Sequence, residues 1–327
     1  LDRARRVGLG RAGRPALDVL VRLNPDVTPE TQAALAVGAG GSKFGMTETE
    51  LTAVVERLAS AGGAVRPRGI HLHVGSQLGA VDAWRDAVRR GLALLGLLRG
   101  GLPDVDTLDV GGGFAVPPLG EAGPRPERFA RELPALIAAI PADRRPVRLA
   151  IEPGRFLVAR SGWLVGRVLH VRERGGVQIV LDTGMTELIR PALYGGRHLI
   201  VALTSLGRPV EHAPAADARK SRRRSAPIPA GGASLEPPRT IDGRPLAVAA
   251  ERSDLSAVHG PICESTDELG DHDLPPLRRG DLVAIRDAGA YAASLSSTYN
   301  GRPRPPQVIL AEDGHLILAR RRATLRP

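Results

Sequence analysis

The chain has 327 residues, is 43% hydrophobic and 24% charged, and carries a single cysteine, a composition that builds a packed core and excludes disorder and a disulfide framework. Its formal net charge is +10, but Arg219, Lys220, Arg222, Arg223 and Arg224 supply half of it, and the three Tyr, four Phe and two Trp offer no aromatic interleaving, so specific nucleic-acid binding is not expected. No secretory leader and no apolar run long enough to span a bilayer is read in the sequence, which points to a cytoplasmic protein.

The first half alternates strand and helix patterns. Val19–Leu23 reads as a buried strand ended by Asn24-Pro25, because the residue before proline is pushed towards extended geometry. Thr47-Glu48-Thr49-Glu50 is a capping-box start for a helix through Leu51, Val54, Val55 and Leu58. Ile70–Val74 is the next strand, and Trp84, Val88, Leu92 and Leu95 form one stripe of a helix from about Asp82 to Leu98. Thr107–Val110 is strand, Glu127–Ile140 helix, and Arg148–Ile151 strand. Helical crossovers between successive strands imply a parallel sheet, either a (β/α)8 barrel or a doubly wound open sheet, and the periodicity does not choose between them.

Beyond about residue 160 the rhythm changes to short strands and turns. Trp163–Val171 and Val177–Leu181 flank Gly175-Gly176 as a hairpin. Val283–Ile285, Val308–Leu310 and Leu316–Leu318 continue the series, the last two joined across Asp313-Gly314. The expected organisation is a partial barrel over residues 1–160 and a β domain over 161–327, with a flexible surface insertion at 207–252.

Each chemically suggestive segment directly follows a strand, where both α/β architectures place their reacting groups. Gly111-Gly112-Gly113 lets backbone N–H groups approach a phosphate, although any tight strand-to-helix turn can need glycines. Glu152-Pro153-Gly154-Arg155 sets a carboxylate beside a guanidinium; it suits a cofactor ring nitrogen or an ordinary ion pair. His71 and His73, two apart on a strand, share a face, and no Cys or clustered His offers a third ligand, so no metal is expected. Cys263-Glu264, in a turn flanked by Gly and Pro, is a candidate proton donor beside a carboxylate, or else a small buried hydrophobe.

Taken in order, SKFG at Ser42–Gly45, HLHVGSQ at His71–Gln77, the triple glycine, EPGR, DTGM at Asp182–Met185, RPALY at Arg190–Tyr194, GPICES at Gly260–Ser265, GAY at Gly289–Tyr291 and Tyr299-Asn300 resemble the fold-type III pyridoxal-phosphate (PLP) decarboxylases. Within them, Gln77, the Arg190–Tyr194 segment and Glu264 directly after Cys263 are most similar to the diaminopimelate branch. The resemblance implies a PLP-binding (β/α)8 barrel, a following β domain, and a homodimer whose subunits share active sites. It further implies that His73 stacks on the cofactor ring and Glu152 pairs with the ring nitrogen. Ser76, Gly111, Gly112, Gly113, Gly154, Arg155 and Tyr291 then surround the phosphate. Arg155, Arg190, Tyr194, Glu264 and Tyr291 meet an amino-acid substrate, and Cys263 returns a proton to the product.

The implied activity is the decarboxylation of meso-2,6-diaminopimelate to L-lysine. The alternatives are a non-catalytic homologue and a decarboxylase of another amino acid in secondary metabolism. The family's Schiff-base lysine is expected after its second barrel strand. With EPGR following the eighth strand, Val19–Leu23 counts as the fifth, so strands one to four and that lysine are not represented, and the chain alone is expected to be inactive. Its only lysines are Lys43 and Lys220.

Overall fold

The computed structural model describes residues 16–31, 35–61, 64–117, 123–203 and 255–324; the insertion expected at 207–252 lies outside them. The chain divides into two compact units, Leu1–Leu157 and Val158–Pro327.

In the first unit, strands β1 (Leu17–Arg22), β2 (Val65–His71), β3 (Thr107–Asp109) and β4 (Arg148–Ala150) form one parallel sheet in the order β1-β2-β3-β4. A doubly wound sheet reverses its strand order at a switch point, whereas a (β/α)8 barrel adds strands in sequence. The order therefore settles what periodicity left open: this is half of a barrel. Gly69 shows how tightly the strands run, since a Cβ there would lie 1.8 Å from the Thr107 carbonyl oxygen.

Helix α1 (Glu48–Ser60) starts at the expected capping box, with the Thr47 N–H donating to Glu50 at 2.9 Å and the Glu50 N–H donating to Thr47 Oγ1 at 3.3 Å. Helix α2 (Asp82–Arg99) buries the expected stripe of Trp84, Val88, Leu92 and Leu95. Trp84 meets Phe129 edge-on, with ring centroids 5.3 Å apart, and its indole N–H donates to the Val110 carbonyl at 3.2 Å. The single helix expected over Glu127–Ile140 is instead two short ones, α3 (Pro126–Ala130) and α4 (Leu133–Ala138). Pro134 explains the break: it has no N–H to donate to the Ala130 carbonyl, and its ring would clash there. Leu17 and Leu149, on the two edge strands, are exposed.

The second unit starts within helix α5 (Gly154–Val158) and is built on a six-stranded sheet. Its strands are β5 (Leu164–Glu173), β6 (Val177–Leu181), β7 (Ile200–Leu203), β8 (Ser256–His259), β9 (Glu268–His272) and β10 (Leu282–Ile285), in the order β7-β10-β5-β6-β8-β9. The β5–β6 hairpin turns through Gly175 and Gly176, at φ of 67° and 127°. A separate hairpin pairs β11 (Gln307–Leu310) with β12 (Leu316–Arg320). Strands β7, β8 and β9 were not expected: Ser256–His259 and Glu268–His272 are short and largely polar, and Gly270 inside β9 takes φ 97°. Two short helices, α6 (Arg190–Tyr194) and α7 (Ala292–Leu295), interrupt the strands. No helix among the described residues is long and apolar enough to cross a membrane.

Candidate functional site

Register places the first set of groups. His71, Asp109 and Ala150 are direct neighbours across β2, β3 and β4, and Glu152 lies two residues beyond Ala150. The Glu152 carboxylate accepts from His71 Nε2 at 3.3 Å. Strand β2 ends at His71, so His73 sits past the strand and not on it as expected; its ring nonetheless stacks on His71, with centroids 6.5 Å apart and planes at 24°.

His73 Nδ1 accepts the Gly112 N–H at 3.3 Å, so that nitrogen carries no proton and the ring is the neutral Nε2–H tautomer. The 3.9 Å approach of Glu152 to the same nitrogen is thus not an ion pair. Burial pushes the His73 pKa down, and the nearby Arg22 guanidinium acts in the same direction against Glu152. Asp109, only 8% exposed, is pushed up by burial, although the Gly111 N–H donates to its Oδ1 at 2.8 Å.

Ligand atoms of His71, Asp109 and Glu152 all lie within 4.8 Å of one another. The expectation that His71 and His73 lack further ligand groups is thus corrected: spacing along the sequence concealed Asp109, because it comes from a neighbouring strand. The grouping is a dense patch of acceptors facing two imidazoles; it suits a protonated ring nitrogen or a cation.

Ser76 and Arg155 meet in the same unit: the guanidinium Nη2 donates to Ser76 Oγ at 2.9 Å. The triple glycine has a structural requirement of its own. A Cβ at Gly111, Gly112 or Gly113 would fall 2.2, 2.1 or 2.3 Å from the carbonyl oxygens of Leu72, Glu152 and Gly75. A Cβ at Gly154 would meet nothing within 4 Å, so the backbone beside Arg155 faces open space. One end of this unit's strand mouth therefore holds a carboxylate with two imidazoles, and the sequence also brings together a hydroxyl, a guanidinium and accessible backbone.

Those groups fit a flat heterocycle with a ring nitrogen and a phosphate. The neutral His73 ring offers a face, Glu152 an anionic acceptor, and Ser76 with Arg155 donors for a phosphate. No amine belongs to the set: Lys43 is exposed and lies over the Phe44 ring, 5.2 Å from its centroid, while Lys220 is outside the described residues.

The second unit holds the remaining expected residues. Arg190 is 8% exposed, and its Nη1 donates to His198 Nε2 at 3.3 Å. His198 Nδ1 donates to the Arg286 carbonyl at 2.8 Å, which fixes the neutral tautomer and turns the Nε2 lone pair to the arginine. Tyr194, half-buried, ends the same short helix. Tyr291 takes φ 68° before α7 and is exposed.

Cys263 and Glu264 are exposed in a turn tied by the buried Asp267, whose two carboxylate oxygens accept from Met185 N at 2.6 Å and Ile262 N at 2.7 Å. The reading of Cys263 as a buried hydrophobe is excluded by its exposure. His198 carried no motif signal, whereas Asp109 directly precedes the triple glycine, a position that could have singled it out.

Comparisons with known proteins agree with one another. A family described as pyridoxal-dependent decarboxylase, pyridoxal binding domain, matches residues 10–159, and pyridoxal-dependent decarboxylase, C-terminal sheet domain, matches residues 155–289. The chain is 32% identical to a diaminopimelate decarboxylase of Deinococcus radiodurans over 94% of its own length and 65% of the relative's. For the Actinosynnema pretiosum enzyme of that name the figures are 35%, 96% and 62%. Among solved structures, the diaminopimelate decarboxylase of Helicobacter pylori complexed with L-lysine is similar, with TM-score 0.74 and 25% identity over 98% of this chain and 67% of that one. The chain thus spans about two thirds of the length of these relatives.

Proposed function

The chain belongs to the pyridoxal-dependent decarboxylases, and from that premise we propose that it serves the PLP-dependent decarboxylation of meso-2,6-diaminopimelate to L-lysine. The observation that carries the reading is the first unit's strand mouth, where His71 and His73 flank Glu152 and Arg155 is bonded to Ser76. PLP, when bound, supplies an electron sink for the pair left behind by the departing carboxylate.

The protein's own groups have distinct tasks in this proposal. Glu152 would hold a protonated ring nitrogen, and the neutral His73 ring would cover one face without adding a second cation. Ser76, Arg155 and the backbone of Gly111, Gly112, Gly113 and Gly154 would hold the phosphate, a set to which the family resemblance adds Tyr291. Arg190, Tyr194 and Glu264 would bind the substrate's distal ammonium and carboxylate, where an arginine suits the carboxylate better than it would a diamine. Arg155 would also face the substrate. The Cys263 thiol would give its proton to the carbon that has lost CO2, leaving a thiolate to be reprotonated from solvent. A cytoplasmic homodimer with shared sites completes the proposal.

Purified chain titrated with PLP in a calorimeter tests the pocket directly. Binding is expected, and Arg155→Ala should weaken it by roughly tenfold through lost charge-assisted hydrogen bonds; unchanged affinity removes Arg155 from the phosphate site. A second reading, a non-catalytic homologue, draws on the exposed Lys43 and on a cluster that, among the described residues, holds no amine. Under both readings this chain by itself should show no absorbance of a lysine-bound cofactor and release no CO2 from diaminopimelate; either signal would overturn that expectation. The two readings part at the genomic sequence upstream of the codon for Leu1. An in-frame strand bearing a lysine supports the enzyme, and Cys263→Ala in that longer protein should depress turnover while PLP still binds.

A further inference from the structure

The Cys263-Glu264 turn has its backbone fixed from within. Gly260 N donates to the Asp267 carbonyl at 2.9 Å, Asp267 N to the Glu264 carbonyl at 3.1 Å, and Ile262 N to the Asp267 carboxylate at 2.7 Å. None of these bonds restrains the two exposed side chains. Those are met by a segment that lies more than thirty residues on: the Tyr299 hydroxyl donates to the Glu264 carboxylate, and Asn300 Nδ2 donates to Cys263 Sγ at 3.6 Å. The segment is itself anchored, since Arg302 Nη2 donates to the Asp182 carbonyl and lies 3.6 Å from the buried Glu187 carboxylate. Asn300 adopts φ 53°, a left-handed conformation that asparagine tolerates better than most residues, and it places the amide on the sulfur.

From this geometry we infer that Tyr299 and Asn300 are positioning residues for Cys263 and Glu264: Asn300 holds the sulfur through an N–H donor, and Tyr299 holds the carboxylate. The inference rests on the proposed proton-donor role of Cys263 for its significance, while the contacts stand independently of it. When the S–H proton leaves, the electron pair stays on sulfur and a negative charge forms next to the Glu264 carboxylate. An amide N–H pointing at the sulfur favours that charged form, and a phenol bonded to the neighbouring carboxylate spreads the second charge. Glu264 pushes the Tyr299 pKa above its ordinary value, so the phenol keeps the proton it donates. Among the described residues, the facing groups that titrate or carry charge here are Glu264 and Tyr299, with Asp267 behind the turn and Arg302 engaged by Glu187 on the Asn300 segment.

Cys263 is the only cysteine of the chain, so alkylation by iodoacetamide reports this one thiol in the purified protein, with no cofactor required. Asn300→Gly removes the amide and accepts φ 53° without strain. It should move the alkylation profile to higher pH and slow the reaction near pH 7.5 by about fivefold, the worth of one hydrogen bond. Asn300→Asp, of the same shape but with a negative charge in place of the donor, should move the profile further, and Tyr299→Phe should move it less than either. Profiles for the asparagine variants that superpose on the parent's would overturn the inference. So would a rate change equal at every pH, which marks altered access and not a held thiolate. Failure of Cys263→Ala to depress turnover in the lysine-bearing protein would sink the proton-donor reading alone and leave the alkylation result standing.

Discussion

The two units assemble their chemistry by different means. In the barrel half, candidate groups hang from the ends of neighbouring parallel strands, and the His71–Asp109–Ala150 register fixes where they meet. In the sheet unit, Arg190, Cys263 and Glu264 come from a short helix and a turn, and side-chain hydrogen bonds to His198, Asp267, Tyr299 and Asn300 fix them. Strand ends are positioned by backbone ladders that tolerate many sequences, whereas turns depend on particular side chains. The same substitution chemistry should therefore act through core packing in one unit and through single polar groups in the other.

The largest effect is expected in the barrel half from Trp84→Ala. It removes a fully buried ring, its edge contact with Phe129 and its bond to the Val110 carbonyl. The loss should be about 3–5 kcal/mol, read as a lower urea midpoint by circular dichroism. A midpoint within error of the parent would mean that α2 does not hold the sheet. Next comes Asp267→Ala in the sheet unit, which leaves the Met185 and Ile262 N–H groups without their carboxylate at a site 2% exposed. About 2–4 kcal/mol should be lost, and the Cys263 alkylation profile should move to higher pH as the loosened turn carries the sulfur away from Asn300. Stability loss without a change in alkylation would separate the buried carboxylate from the turn and weaken the contrast between the units. Thr47→Ala, outside both sites, removes the side-chain half of the capping box of α1 and should cost about 1 kcal/mol.

Legibility in the sequence follows the same division. The strand–helix alternation, the Thr47 cap and the α2 stripe were readable because each is a local, periodic signal on the scale of one element. Pro134 is an equally local signal, since its missing N–H starts a new helix and does not continue the one before it. Barrel and open sheet were inseparable until strand order was known, since order is a long-range property. At the site, motif order named Glu152, His73, Ser76 and Arg155, but gave no role to Asp109, which directly precedes the triple glycine, or to Arg22 at the end of β1, because both act on groups from neighbouring strands. His198 and the roles of Tyr299 and Asn300 were hidden for the same reason: their partners are eight or more residues away along irregular chain.

The smallest effect concerns pH and tests whether the barrel-half cluster is poised by burial. The folded pKa of His73 lies below its unfolded value, chiefly because burial penalises the charged ring. A depressed histidine contributes stability that is present above the unfolded pKa of about 6.5 and is lost as pH falls towards the folded one. His73→Gln lacks that contribution. The urea midpoint of the parent minus that of His73→Gln should therefore shrink between pH 7 and pH 5. Asp109 works in the opposite sense: its pKa is raised, so its contribution is present at low pH and lost as pH rises through the folded value. Asp109→Asn should accordingly improve in relative stability as pH increases from 4 to 7, the reverse of the His73→Gln trend. Parallel trends for the two variants would show that His73 and Asp109 titrate in response to net charge and not to their burial, and the strand-end cluster would then be no more prearranged than the exposed turn around Cys263.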